Sequence, residues 1–105
     1  MSTKTIKYGT AELREEIRKE VGEITFGLLL ESHRKSEELS QREFAKNLGI
    51  SPSSLCDLEK GRKIPTLKRA AMIARQLGML EAYWVNMAIQ DQINEQGLDL
   101  KVSVV

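Results

Sequence analysis

The chain has 105 residues, of which 41% are hydrophobic and 30% charged, and its formal net charge is +1. This is the make-up of an ordinary globular domain and excludes a disordered or fibrous chain. No apolar run approaches the roughly 18 residues of a membrane span, and the opening MSTKTIKYG lacks the apolar stretch of a secretory signal, so a cytoplasmic location away from membranes is expected.

In chain order, the first predicted helix covers about Thr10 to Val21, with Leu13, Ile17, Val21 and Ile24 on one stripe. A second, from about Thr25 to Ser36, turns Phe26, Leu29, Leu30 and His33 inward. The third opens at Ser40, where Ser40 and Glu43 have the spacing of a capping box, and ends before Gly49. The fourth starts with Ser51 as N-cap and Pro52 in the first helical position, and stops at Gly61. A fifth spans about Thr66 to Leu77, with Leu67, Ala70, Ala71, Ala74 and Leu77 inward, and a sixth runs from about Glu81 to Gln96.

The last eight residues change period. Leu98, Leu100, Val102 and Val104 alternate with Asp99, Lys101, Ser103 and Val105, as in a strand. Such a segment is either a frayed tail or the partner of the same strand in a second copy, since a two-fold axis would supply its missing neighbour. Helix six is apolar over a wide arc: Trp84 and Met87 read as core, while Val85, Ile89 and Ile93 need another surface to cover them. Together with Leu98, Leu100, Val102 and Val104 they form an expected homodimer interface.

Charge is unevenly spread. Residues 1–40 carry −1, residues 41–75 carry +5 and residues 76–105 carry −3. A basic middle is compatible with a solvated face, and it gains meaning only where other residues point the same segment at nucleic acid.

The stretch SQREFAKNLGISPSSLCDLEKGR, residues 40–62, supplies that pointer. Two short helices meet at Gly49-Ile50, where glycine can take the positive φ of a tight turn. Ala45 is small where the helices cross, and Leu55 and Leu58 point back at Phe44 and Leu48. These choices serve a helix-turn-helix. The outward positions of the second helix, Pro52, Ser53, Ser54 and Asp57 with Cys56 at the edge, form either a plain solvent face or one that enters a major groove.

Residues 26–77 resemble the phage repressor and Cro-type, or Xre, helix-turn-helix family. The likeness rests on Gln41, Ala45, Gly49, Leu55, Leu58 and Glu59 at the family spacing, on Gly61-Arg62 and Pro65, and on Phe26-Gly27-x2-Leu30-x3-Arg34. It implies an all-α, five- to six-helix repressor-like fold, to which the periodicity above adds an N-terminal helix in front and a short C-terminal dimerisation strand behind. It also implies double-stranded DNA as partner. Gln41 would meet a phosphate and brace the recognition helix, and Ser53, Ser54 and Asp57 fall on base-reading positions. Lys60, Arg62 and Lys63 lie in a loop that runs along the backbone, and Arg34 and Glu59 match an internal salt bridge. Ser51 and Pro52, at the mouth of the recognition helix, complete the expected DNA-facing set. Pro52 departs from the family, which often has a long polar reader there, so direct readout is expected to be sparse.

Three segments follow from this reading: residues 1–24 as a helical extension, 25–78 as the DNA-binding domain and 79–105 as the dimerising helix and strand. His33 has no second histidine or cysteine pair beside it, Cys56 reads as a small filler, and no metal, cofactor or enzymatic activity is expected. Two functions fit, a homodimeric transcriptional repressor on an inverted-repeat operator, or an antitoxin that silences a toxin protein. The stripe on residues 1–24, which packs either on the domain or in a partner's groove, divides them.

Overall fold

The computed structural model describes residues 24–102, so the predicted helix at Thr10–Val21, the stripe residues Leu13, Ile17 and Val21, and Val104 lie outside the described residues. Five helices follow one another: α1 (Phe26–Ser36), α2 (Gln41–Leu48), α3 (Pro52–Glu59), α4 (Leu67–Gln76) and α5 (Glu81–Glu95). Among the described residues there is no strand.

Four of the helices begin where a short oxygen-bearing side chain can satisfy an orphan N–H. The Thr25, Ser40, Ser51 and Thr66 hydroxyls accept from the N–H groups of Leu28, Glu43, Ser54 and Arg69. At α2 the capping box is complete, since Glu43 returns the favour by accepting from the Ser40 N–H at 3.0 Å. α1 has a second cap from far along the chain: the Phe26 N–H donates to the Asp91 carboxylate on α5 at 2.8 Å, placing an anion at the positive end of the helix.

α1 and α2 both pack on α3, α5 lies along α4, and α5 also touches α1. One core joins them, built from Phe26, Leu30, Phe44, Ala45, Leu48, Leu55, Leu58, Ala70, Ile73, Ala74, Trp84, Met87 and Ala88. Trp84 is 1% exposed and meets Phe26 edge to face with ring centres 5.6 Å apart. The segment beyond residue 79 is thus built into the same core as the helix pair.

Two expectations are corrected. Leu67, expected to face inward, is exposed, and Ile73 is buried in its place; the inner stripe of α4 is Ala70, Ile73 and Ala74, continued by the C-cap Leu77, and Leu67, as the first helical residue, reaches past the core's edge. The dimerisation strand is also absent from 98–102. Buried Gln90 on α5 grips this tail, donating from Nε2 to the Leu100 carbonyl at 2.8 Å and accepting the Val102 N–H at 2.7 Å. A buried amide left without partners would be costly, and satisfying it consumes backbone groups that a pairing strand would have to offer. Leu98 and Leu100 project outward, whereas Val85, Ile89 and Ile93 are half-buried.

Candidate nucleic-acid interface

The turn between α2 and α3 is made by Gly49 at φ 72°, in the left-handed region, with its N–H on the carbonyls of Ala45 and Lys46. The Ile50 N–H also returns to the Ala45 carbonyl, at 3.0 Å. Ala45 is fully buried, as the close crossing requires. Leu55, Leu58 and Glu59 face inward on α3, and Pro52 and Ser53 are exposed, with Ser54, Cys56 and Asp57 half-buried at the margins. Of the positions expected to face outward, only Pro52 and Ser53 are thus fully open.

α3 has eight residues, too few to be stable alone. A buried polar node fixes it. The Glu59 carboxylate, whose side chain has no exposed surface, accepts from Arg34 Nε at 2.8 Å and Nη2 at 3.2 Å. Gln41 Nε2 donates to the same carboxylate at 2.9 Å, so α1, α2 and α3 meet on one group. Arg34 also donates to the Leu39 carbonyl at 2.9 Å. Hydrogen bonding to Glu59 raises the Arg34 pKa above its ordinary value, against the opposing effect of burial. The family likeness puts a phosphate on Gln41; its amide nitrogen carries a second proton, so bracing Glu59 and reaching a phosphate are compatible.

Gly27 is a feature whose reason was invisible in the sequence. A Cβ there would lie 2.3 Å from the Leu58 carbonyl oxygen and 2.7 Å from that of Glu59. Glycine lets α1 rest directly on the last turn of α3.

The loop after α3 folds back on the helix. The Asp57 carbonyl accepts the N–H groups of Arg62 at 2.9 Å and Lys63 at 3.2 Å. The Asp57 carboxylate takes Arg62 Nε at 2.8 Å and stands 3.9 Å from Lys63 Nζ. Arg62 Nη2 lies 3.1 Å from Cys56 Sγ. The bond to Asp57 is the main cause that raises the Arg62 pKa above its ordinary value. Asp57, which the family likeness puts on a base-reading position with Ser53 and Ser54, is thus paired with two residues expected to contact the DNA backbone. Lys60 sits 4.0 Å from Glu31. The Ser51 and Ser54 hydroxyls bond each other at 2.9 Å, so Ser51 acts as cap and Ser54 shares its hydroxyl with it. Arg42, Lys46, Lys68 and Arg69 are further exposed cations outside the sequence-predicted set, and the +5 charge of residues 41–75 is the sequence signal that contains them.

A short polar helix face, backed by a rigid crossed pair and bordered by cations, defines a helix-turn-helix protein of the kind that docks on duplex DNA. Residues 30–85 match the family model described as helix-turn-helix. A stretch of 50 residues is 44% identical to an uncharacterized HTH-type transcriptional regulator of Methanothermobacter thermautotrophicus, spanning 48% of this chain and 72% of that protein. A stretch of 48 residues is 44% identical to the ImmF control region 10 kDa protein of Bacillus phage phi105, spanning 46% of this chain and 53% of that protein. No solved structure matches the chain. The chain belongs to the Xre-type helix-turn-helix family, a class of DNA-binding transcription regulators.

Proposed function

We propose that this chain is a homodimeric repressor that seats α3 in the major groove of an inverted-repeat operator. The observation that carries this reading is the division of α3 into a buried side locked by Leu55, Leu58 and Glu59 and an outward side of Pro52 and Ser53 with Asp57 at its margin. Ser53 and Ser54 would touch bases, Lys60 and Lys63 would touch phosphates, and the Gln41 amide would reach a phosphate from α2. The relatives' names, a transcriptional regulator and a phage control region protein, support control of transcription over toxin neutralisation. The second copy would cover the apolar margin formed by Val85, Ile89 and Ile93 with the exposed Leu98 and Leu100, using side chains rather than a shared sheet.

Selection of bound sites from random duplex DNA tests the proposal. The expected product is an inverted repeat with half-site centres about 34 Å, one helical turn, apart. Enrichment of no sequence would refute sequence-specific binding, and enrichment of a single asymmetric site would refute the two-fold arrangement.

A further inference from the structure

We propose that Arg62 reads a guanine in the major groove, with Asp57 as the residue that positions it; this deepens, and rests on, the DNA-binding reading above. Arg62 leaves the loop and turns back onto α3, so its guanidinium lies beside Cys56 and Asp57 instead of extending along the loop. Two bonds hold it there, Nε to Asp57 Oδ1 at 2.8 Å and Nη2 to Cys56 Sγ at 3.1 Å. The main chain fixes the same geometry, since the Asp57 carbonyl accepts the Arg62 N–H at 2.9 Å.

A guanidinium carries five donors in a rigid fork. Asp57 and Cys56 use the Nε–Nη2 edge, which leaves the Nη1–Nη2 end without a partner among the described residues. The Arg62 side chain is 57% exposed, so that end is accessible. Two parallel N–H donors match O6 and N7 of guanine. The outward residues Pro52 and Ser53 offer no long donor, and Arg62 supplies one to that face. Asp57 makes the same point from the other side. A carboxylate on a DNA-facing surface repels phosphates, and it earns its place only by accepting from cytosine or by orienting a cation. With Arg62 at 2.8 Å and Lys63 at 3.9 Å, its oxygens are engaged with cations. The fork would fit a phosphate as well, and the base-pair and 7-deazaguanine arms of the test separate the two contacts.

The test uses the duplex selected by the wild-type chain, with fluorescence anisotropy on that duplex, on single base-pair variants and on duplexes carrying 7-deazaguanine at each guanine in turn. Wild type is expected to lose about 5- to 100-fold in affinity when one guanine per half-site is replaced or loses N7. Arg62→Lys, which keeps the charge on an exposed side chain, should bind these duplexes without that discrimination. Asp57→Asn should discriminate less at the same position while binding random duplex more tightly, since a negative charge has gone; a variant that merely loosened the loop would weaken both. Unchanged discrimination in Arg62→Lys, or tolerance of 7-deazaguanine at every position, would overturn the assignment while leaving sequence-specific binding intact. Selection of no site by wild type would overturn both.

Discussion

Replacing Glu59 with leucine removes the acceptor on which three helices converge. The Arg34 guanidinium, 12% exposed, would keep only the Leu39 carbonyl at 2.9 Å and the Glu31 carboxylate at 4.0 Å. Leaving one member of a buried pair without its partner costs about 3–5 kcal/mol. Residual exposure of Arg34 places the expectation near the lower end, about 3 kcal/mol, against a total stability on the order of 5–15 kcal/mol. The double variant Arg34→Met with Glu59→Leu removes both charges and fills the space with apolar groups, which is often close to neutral. It should lie within about 1–2 kcal/mol of wild type, far from the sum of the single losses. Urea unfolding followed by the fluorescence of Trp84, the one tryptophan of the chain, measures all of these. Additive losses, or a cost for Glu59→Leu below about 1 kcal/mol, would refute the node as the lock of the recognition helix. Because pairing raises the Arg34 pKa, the contribution of Arg34 is complete at neutral pH and is lost only as pH rises through the folded value in the strongly alkaline range, so the arginine adds no pH dependence to a cycle measured near neutrality.

Gly27→Ala should destabilise by about 1–3 kcal/mol through overpacking, although alanine favours helices by about 1 kcal/mol over glycine; a thermal midpoint equal to or above wild type would refute the close approach of α1 to α3. At Gly49 the backbone and not the space is restrictive, since φ is 72° and no atom lies within 4 Å of a built Cβ. Gly49→Asn should therefore be milder than Gly49→Val, whose cost is of order 1–2 kcal/mol; equal losses in chemical unfolding would contradict this. The Ser40 N–H is the main cause holding the Glu43 carboxyl below its ordinary 4.5, so the capping box contributes fully above that pH and is lost as pH falls through the folded value. An NMR titration should place the Glu43 midpoint below 4.5 and Ser40→Ala should raise it; a midpoint already at 4.5 in wild type would count against the box.

Much of this architecture was legible because local chemistry and tertiary packing agree. Ser40-x-x-Glu43, Ser51-Pro52 and Gly49 each announce a helix end through backbone needs that do not depend on distant residues, and the helices begin where those signals stand. Residues supported from afar were harder to read. Asp91 caps α1 from 65 residues away, and Gly27 owes its identity to two carbonyls at the end of α3; neither relation leaves a periodic trace. The tail misled for a related reason. Alternation at Leu98, Leu100 and Val102 describes a strand pattern, but a buried glutamine ten residues earlier competes for the same backbone. Asp57 sits on the face that periodicity assigns to it, and its engagement with Arg62 and Lys63 depends on how the following loop turns, which helical spacing does not encode.

The two sides of α3 separate stability from specificity. An eight-residue helix takes its orientation from what it leans on, here the carboxylate of Glu59, the backbone contact with Gly27 and the leucines between them. Loss of that support reduces the population of the competent fold, and apparent affinity falls by the same factor for every DNA sequence. Asp57 and Arg62 bear little of the fold, being partly or largely exposed, and act on the difference between sequences. A change at Glu59 should therefore shift all affinities together and leave base preference untouched, whereas a change at Arg62 should alter preference with little effect on unfolding. Lys63 lies between these cases, because removing it also uncovers charge on Asp57 and so weakens phosphate binding by more than one lost cation.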